Sequence, residues 1–470
     1  VDYDVVIIGA GMSGLAAGIR LAYFGKRVCI LERHYAFGGL NSYYKLGGYE
    51  FDVGLHAVTN YVPPGRRGGP LNKLLRQLRL TRDDLDLREQ RHSEVRFPGR
   101  TLRFSNDFDL LTSEVAREFP GEVDGFRRLA ERIKGYDDAR LDAPYVATRP
   151  VLRDHLRDPV LTDMLLCPLM FYGSAEEHDM DFTQFVTLFK SIFFEGFARP
   201  RDGVRRIVKT LVRKFREHGG RIRTRCGVAT IRHDGVRASG VILDSGEAIT
   251  AGVVLSSAGL VETMQLTRGD GAEAQSRPDG GSGQLSFVES IAVLDQRPAQ
   301  WGHEATIVFY NDRESFTYAR PGEPVDLRSG IVCCPNNYAD HDRGDGVFRL
   351  TWLADYQPWM TWGDADYAAA KSQYGERFFE AGERFLPGFA QHVRFVDMFT
   401  PRTIRYYTGH VNGAVYGSPR KQRDGKTPLE NLFICGTDQG YLGIVGAMLS
   451  GITIANLHVL GQDERMRSPG

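Results

Sequence analysis

DVVIIGAGMSGLAAGIRLAYFGKRVCILERHYAFGGLNS, running from Asp4 to Ser42, decides the fold. Residues 4–8 are a short apolar run and read as a strand. An alanine-rich amphipathic stretch to about Phe24 reads as a helix, Gly25-Lys26 as a turn, and residues 28–31 as a second strand ending in Glu32. Between the first strand and the helix stands GxGxxG, made of Gly9, Gly11 and Gly14. Strand, glycine loop, helix, strand and acid follow in the order that a dinucleotide-binding βαβ unit requires. Gly9 allows the tight turn, Gly11 lets the backbone approach a pyrophosphate, and Gly14 lets the helix pack on the sheet. The helix N-terminus, with Ser13 in its first turn, then turns unpaired N–H groups toward phosphate. Glu32, 18 residues past Gly14, can accept hydrogen bonds from ribose hydroxyls, and Arg33 beside it joins the candidate contacts. A second glycine pair, in Gly38-Gly39-Leu40-Asn41-Ser42, follows at once. Extended FAD needs such a loop over its diphosphate and ribityl section, so the reading favours FAD, held without a covalent bond, over NAD.

The opposite end of the sequence supplies complementary pieces. Residues 431–438 read as an apolar strand ending in Gly436, Thr437 and Asp438, and a helix starts near Gly443, Ile444 and Val445. An Asp at a strand end can bond ribityl hydroxyls, and the helix N-terminus can face the flavin pyrimidine oxygens. A middle unit, from a helix at 207–215 through a strand at 221–224, a small hairpin and a returning strand at 252–259, completes such a domain with Val228 near the adenine.

Composition narrows the alternatives. The 470 residues are 42% apolar and 25% charged, which fits a globular chain with a substantial core. With 59 basic residues against 59 acidic ones, no net field draws in nucleic acid. The six cysteines show no metal-ligand or CxxC spacing, no secretory pattern opens the sequence, and a reduced, cytoplasmic setting is expected. Residues 439–462 lack Asp, Glu, Lys and Arg, but their five glycines and several polar residues argue against a spanning helix.

These segments, with GGYEFDVGLH (residues 47–56) and GTDQGYLGIVGAMLSGITIAN (residues 436–456), resemble the FAD-dependent phytoene desaturase, carotenoid isomerase and retinol saturase family within the amine-oxidase-like flavoproteins. The resemblance implies an α/β fold: a Rossmann-like FAD-binding domain interleaved with an α+β substrate domain that holds a mostly antiparallel sheet. It places the FAD domain at 1–60, 200–265 and 425–470, and the substrate domain at 61–199 and 266–424. Thr437 intrudes between Gly436 and Asp438 where the family has Gly-Asp, so Asp438 reaching the ribityl chain stays open. The implied activity is hydride exchange at flavin N5 with an apolar isoprenoid or polyene. A flavin amine oxidase and a non-catalytic prenyl-binding protein share the scaffold and stand as alternatives.

Between the cofactor segments, residues 286–294, 306–310, 331–334 and 347–356 read as strands, and 71–80, 107–135 and 365–385 as helices. Residues 267–283 read as a surface loop. FTQFVTLFKSIFFEGF (residues 182–197) holds six phenylalanines and reads first as core. In the family context it is also a candidate tunnel wall or, with ten basic residues following at 201–225, a peripheral membrane contact. His56, at the end of FDVGLH, is the candidate polar group at the isoalloxazine, and Tyr407 in PRTIRYY a candidate wall over it. No Ser/His/Asp or metal-ligand pattern is present, which leaves the hard chemistry to the cofactor.

Overall fold

The computed structural model describes residues 1–54, 56–66, 68–268, 281–340 and 344–461. Most of the 267–283 loop therefore lies outside the described residues. β1 (Tyr3–Ile8), α1 (Met12–Tyr23) and β2 (Val28–Leu31) form the expected unit, with β1 and β2 parallel from Val5↔Val28 to Ile8↔Leu31. Every residue of β2 is buried, as an apolar run covered on both faces should be.

The parallel sheet runs in the order Arg221–Arg223, β2, β1, Ala248–Ser256, Leu432–Ile434. Its neighbours thus come from the beginning, middle and end of the sequence. The small hairpin and the returning strand differ from expectation in one respect. Ala248–Ser256 is a single strand that pairs antiparallel with Ala238–Leu243 through its first residues and parallel with β1 and Leu432–Ile434 through its last. The sequence reading began the returning strand at Gly252, which lies in its middle. A Cβ there would stand only 3.1 Å from the Asp4 carbonyl, so the glycine serves close strand approach instead.

The second sheet has the order Val393–Phe399, Ser286–Leu294, Gly346–Ala354, Val325–Cys333, Ile307–Asn311, Ser93–Phe97, Arg100–Phe104. All its pairings are antiparallel except Ser93–Phe97 with Ile307–Asn311. The 107–135 stretch is two helices, Phe108–Glu118 and Val123–Gly135, because Pro120 cannot continue the first. The Pro159–Gly173 helix escaped the sequence reading: it is apolar all round and packs inside the core, so it shows no amphipathic period.

Five of the six phenylalanines between Phe182 and Phe197 are 2% exposed or less and lie in the largest core cluster, with Phe194 packed against it. The stripe is core; it neither walls the apolar cavity described below nor faces outward as a membrane seat would require. The Gly443–Leu460 stretch is long and apolar enough, by length and composition, to cross a membrane, and half of it is buried inside the molecule. It packs on α1 so tightly that a Cβ at Gly451 would lie 2.0 Å from the Ser13 carbonyl oxygen.

Candidate active site

The carboxyl ends of the parallel strands open into a cleft, the place where open α/β sheets bind ligands. Gly9, at φ +93°, turns the chain out of β1, and a Cβ on Gly14 would lie 2.2 Å from the Gly9 carbonyl oxygen. Only hydrogen fits there. Gly11 is the N-cap of α1 and brings no capping side chain, so the first N–H groups of the helix lack an intrahelical partner. A Cβ on Gly11 would meet nothing within 4 Å, which leaves that face open to a ligand. Glu32 accepts from Ala10 N at 2.8 Å and His34 N at 2.9 Å, so its carboxylate is held at the glycine loop. Gly38, at φ +106°, donates to the Ala10 carbonyl at 2.9 Å and lays Gly39, Leu40 and Asn41 across the cleft.

The Gly443–Ala455 helix starts without a capping side chain, so a second helix N-terminus opens toward the cleft. Gly443 and Ile444 line the cavity, whereas the Val445 side chain is fully buried in the core behind it. Gly436 lies against Ser13, and its N–H donates to Ser450 Oγ at 2.7 Å. Asp438 corrects the expectation. It is 2% exposed, and its two oxygens accept from Leu260 N and Ser418 N, each at 2.6 Å. The inserted Thr437 takes the cavity-facing position, and Asp438 fastens two chain segments together.

Arg33 is turned to the Tyr406 carbonyl at 3.1 Å. Val228 begins its strand opposite Leu243 and is partly exposed. Tyr407 also departs from the reading. It is half-exposed, packs its ring at a tilt against His34 with centroids 5.2 Å apart, and is absent from the cavity lining; Ile404 of the same helix reaches the cavity instead.

Beneath the second sheet lies a cavity of about 170 Å³. Leu40, Asn41, Gly54, Thr437, Gly443 and Ile444 form its cofactor-side wall, and Phe171, Phe287, Phe309, Ile331 and Tyr416 are among the apolar residues that close the other sides. His56 also lines it. Its Nε2 lies 3.0 Å from Thr351 Oγ1 and 3.6 Å from Glu289 Oε1, while its carbonyl accepts from Tyr338 OH at 2.9 Å. Burial, reinforced by the Arg349 and Arg199 guanidinium groups, holds the imidazole well below its ordinary value, so the ring is neutral at pH 7.

Glu289 and Thr351, directly opposite each other on Ser286–Leu294 and Gly346–Ala354, line the same cavity. Arg349, two residues from Thr351, grips Glu289 Oε1 through Nε at 2.6 Å and a terminal nitrogen at 2.5 Å. This trio escaped the sequence reading. The available signal was an acid inside SFVESIAVL and a base inside VFRLTWLA, opposite charges in two apolar runs.

Two uncapped helix N-termini, an open glycine face and a ribose-side carboxylate in one cleft fit FAD. Gly9, Gly11, Ser13, Gly14, Glu32, Gly38, Gly39 and Asn41 would hold its adenosine diphosphate and ribityl portion, with Gly443 and Ile444 at the ring system. Similar proteins agree. All-trans-retinol 13,14-reductase of Danio rerio is 23% identical over 97% of this chain and 86% of its own length. Prolycopene isomerase of Arabidopsis thaliana is 20% identical over 97% and 82%, and phytoene desaturase (lycopene-forming) of a Paracoccus strain 23% over 84% and 83%. Among solved structures, an oxidoreductase from Methanosarcina mazei shares the fold at TM-score 0.67 and 18% identity, covering 96% of this chain and 99% of its own. Putrescine oxidase bound to putrescine does so at 0.61 and 17%, covering 97% and 98%. Residues 12–457 match the flavin containing amine oxidoreductase family, and the chain belongs to it as an FAD-dependent oxidoreductase.

Proposed function

We propose that this enzyme exchanges hydride with an apolar polyene of isoprenoid type, forming, reducing or isomerising a carbon–carbon double bond. The cavity carries the reading. Its surface is predominantly aromatic and aliphatic, and it meets the proposed flavin ring site at Asn41, Thr437 and Gly443. Such walls orient hydrocarbon by shape and exclude water from the reacting carbon. At about 170 Å³ the chamber holds the reacting stretch of a long substrate rather than its whole length. Bound FAD supplies the two-electron hydride chemistry. The retinol reductase, prolycopene isomerase and phytoene desaturase among the relatives support the same substrate class.

An amine substrate is the competing reading on this scaffold. An unpaired carboxylate would favour a cationic amine, and the Glu289 carboxylate is already neutralised by Arg349 at hydrogen-bond distance. The polyene reading therefore stands ahead.

The test is an anaerobic flavin spectrum of the holoenzyme with phytoene, prolycopene or retinol, and with putrescine as the contrast. Bleaching of the oxidised bands by a polyene, or reoxidation of the reduced enzyme by one, is the expected result; isomerised product without net bleaching also agrees. Bleaching by the amine alone would reverse the assignment.

A further inference from the structure

We propose that Glu289 is the acid–base residue of this oxidoreductase, exchanging with solvent, by way of His56, the proton that accompanies hydride transfer. The identity of the substrate rests on the polyene reading above. Making a double bond removes two hydrogens, one as hydride and one as a proton. The hydride needs the flavin; the proton needs a group at the cavity surface.

Few groups there qualify. Tyr172 and Tyr416 donate their hydroxyls to the main-chain carbonyls of Ala57 and Phe171, and burial raises both phenols far above neutral pH. Thr351 is an alcohol and too weak an acid. His56 is neutral and turned to Thr351. Glu289 has one oxygen, Oε1, on Arg349, whereas Oε2 has no hydrogen-bond partner among the described residues in a side chain that lines the cavity.

The surroundings are poised between two charge states. Burial pushes the Glu289 carboxyl up, Arg349 and then Arg199 pull it down, and the balance lies above the ordinary carboxylate value. Tyr44, Cys333 and Tyr416 face it as neutral groups, and His56 stands 3.6 Å from Oε1 as the nearest titratable group leading away. The His56 and Glu289 side chains, 15% and 9% exposed, line the same cavity and are otherwise enclosed.

In the oxidative direction one substrate carbon gives up hydrogen with both bonding electrons to the flavin, which makes the hydrogens on its neighbour acidic. The Glu289 carboxylate takes one as a proton, and the electron pair left behind becomes the π bond. Glu289 ends as a carboxylic acid, and the proton leaves through His56. In the reductive direction the same acid supplies the proton to the carbon next to the one that receives hydride.

Glu289→Gln tests the assignment. We expect kcat to fall by about 10²–10⁴-fold, the usual share of a general acid–base group, with flavin content and substrate affinity unchanged and partial rescue by Glu289→Asp. The second readout needs no turnover: a pH titration of the holoenzyme by infrared difference spectroscopy should show a protonated-carboxyl band, ionising above the ordinary carboxylate range, that vanishes in Glu289→Gln. Because this variant leaves Arg349 buried without its carboxylate, Glu289→Gln/Arg349→Met guards against misfolding and should stay equally slow. A double variant that turns over at the wild-type rate, or the absence of a Glu289-dependent band, overturns the proposal. A wild-type enzyme inert toward polyenes would sink the substrate reading alone, and the infrared titration would then decide Glu289.

Discussion

Gly11 and Gly14 stand three residues apart, yet a methyl group would meet different surroundings at each. At Gly11 it would meet nothing within 4 Å; at Gly14 it would lie 2.2 Å from a carbonyl oxygen. Gly11→Ala should leave the unfolding temperature of the apoprotein unchanged and lower flavin content, read from the absorbance ratio of purified protein. Gly14→Ala should cost about 1–3 kcal/mol of stability from overpacking, seen in denaturant titration. Asp438 belongs with Gly14. Asp438→Ala strands the Leu260 and Ser418 N–H groups and should lose about 1–3 kcal/mol for each, in the apoprotein as much as in the holoenzyme. A loss confined to the flavin-loaded form would mean that the carboxylate reaches the cofactor after all. His56→Ala should slow turnover and keep the flavin, because the main-chain bonds that fix this loop do not use the imidazole. The glycine frame was legible because its chemistry is local to six residues. Glu289 was not, since its meeting with Thr351 and Arg349 depends on a strand register across sixty residues of sequence.

At the scale of elements, the contact between α1 and the Gly443–Ala455 helix governs the cleft, since both helices point an N-terminus into it. Gly451 permits that contact, and Gly451→Val should force the helices apart and lower both thermal stability and flavin affinity. Unchanged flavin affinity in a folded variant would show that the two N-termini need not keep their present spacing. Sequence patterning found these helices readily. It failed for Pro159–Gly173 because burial on every side erases the amphipathic signal, and it left the phenylalanine stripe ambiguous because core and ligand wall share one composition. The substrate sheet was legible strand by strand; Ser93–Phe97 and Arg100–Phe104, which join it from far upstream, carried arginines and a glutamate that hid their apolar face.

Across the whole molecule, the segment from His410 to Ser418 is stitched to the helix Leu260–Leu266 that follows the parallel sheet. Glu262 Oε1 accepts from Val411 N at 2.7 Å and lies 3.6 Å from His410 Nδ1, and Asp438 adds the bonds already described. Although burial opposes both charges, the pairing leaves Glu262 below its ordinary value and His410 above its own. The signs differ. The Glu262 contribution is present above the ordinary carboxylate range and fades as pH falls through its lowered value. The His410 contribution is complete below the ordinary imidazole range and fades as pH rises through its raised value. Stability should therefore decline as pH rises out of the ordinary imidazole range and through the raised His410 value, and His410→Gln should flatten that decline in thermal melts taken across pH. An unaltered profile in the variant would assign the decline elsewhere.

The order of strands in the parallel sheet has a consequence for biosynthesis. β1 leaves a ribosome long before its neighbour Ala248–Ser256, and Leu432–Ile434 and the helix that completes the cleft follow later still. The glycine loop after β1 must wait, its apolar strand uncovered, until the segment around Leu432–Ile434 has been translated. Flavin capture is thus a late event in the life of each molecule, and a nascent chain stalled before residue 430 should hold no cofactor however long it waits.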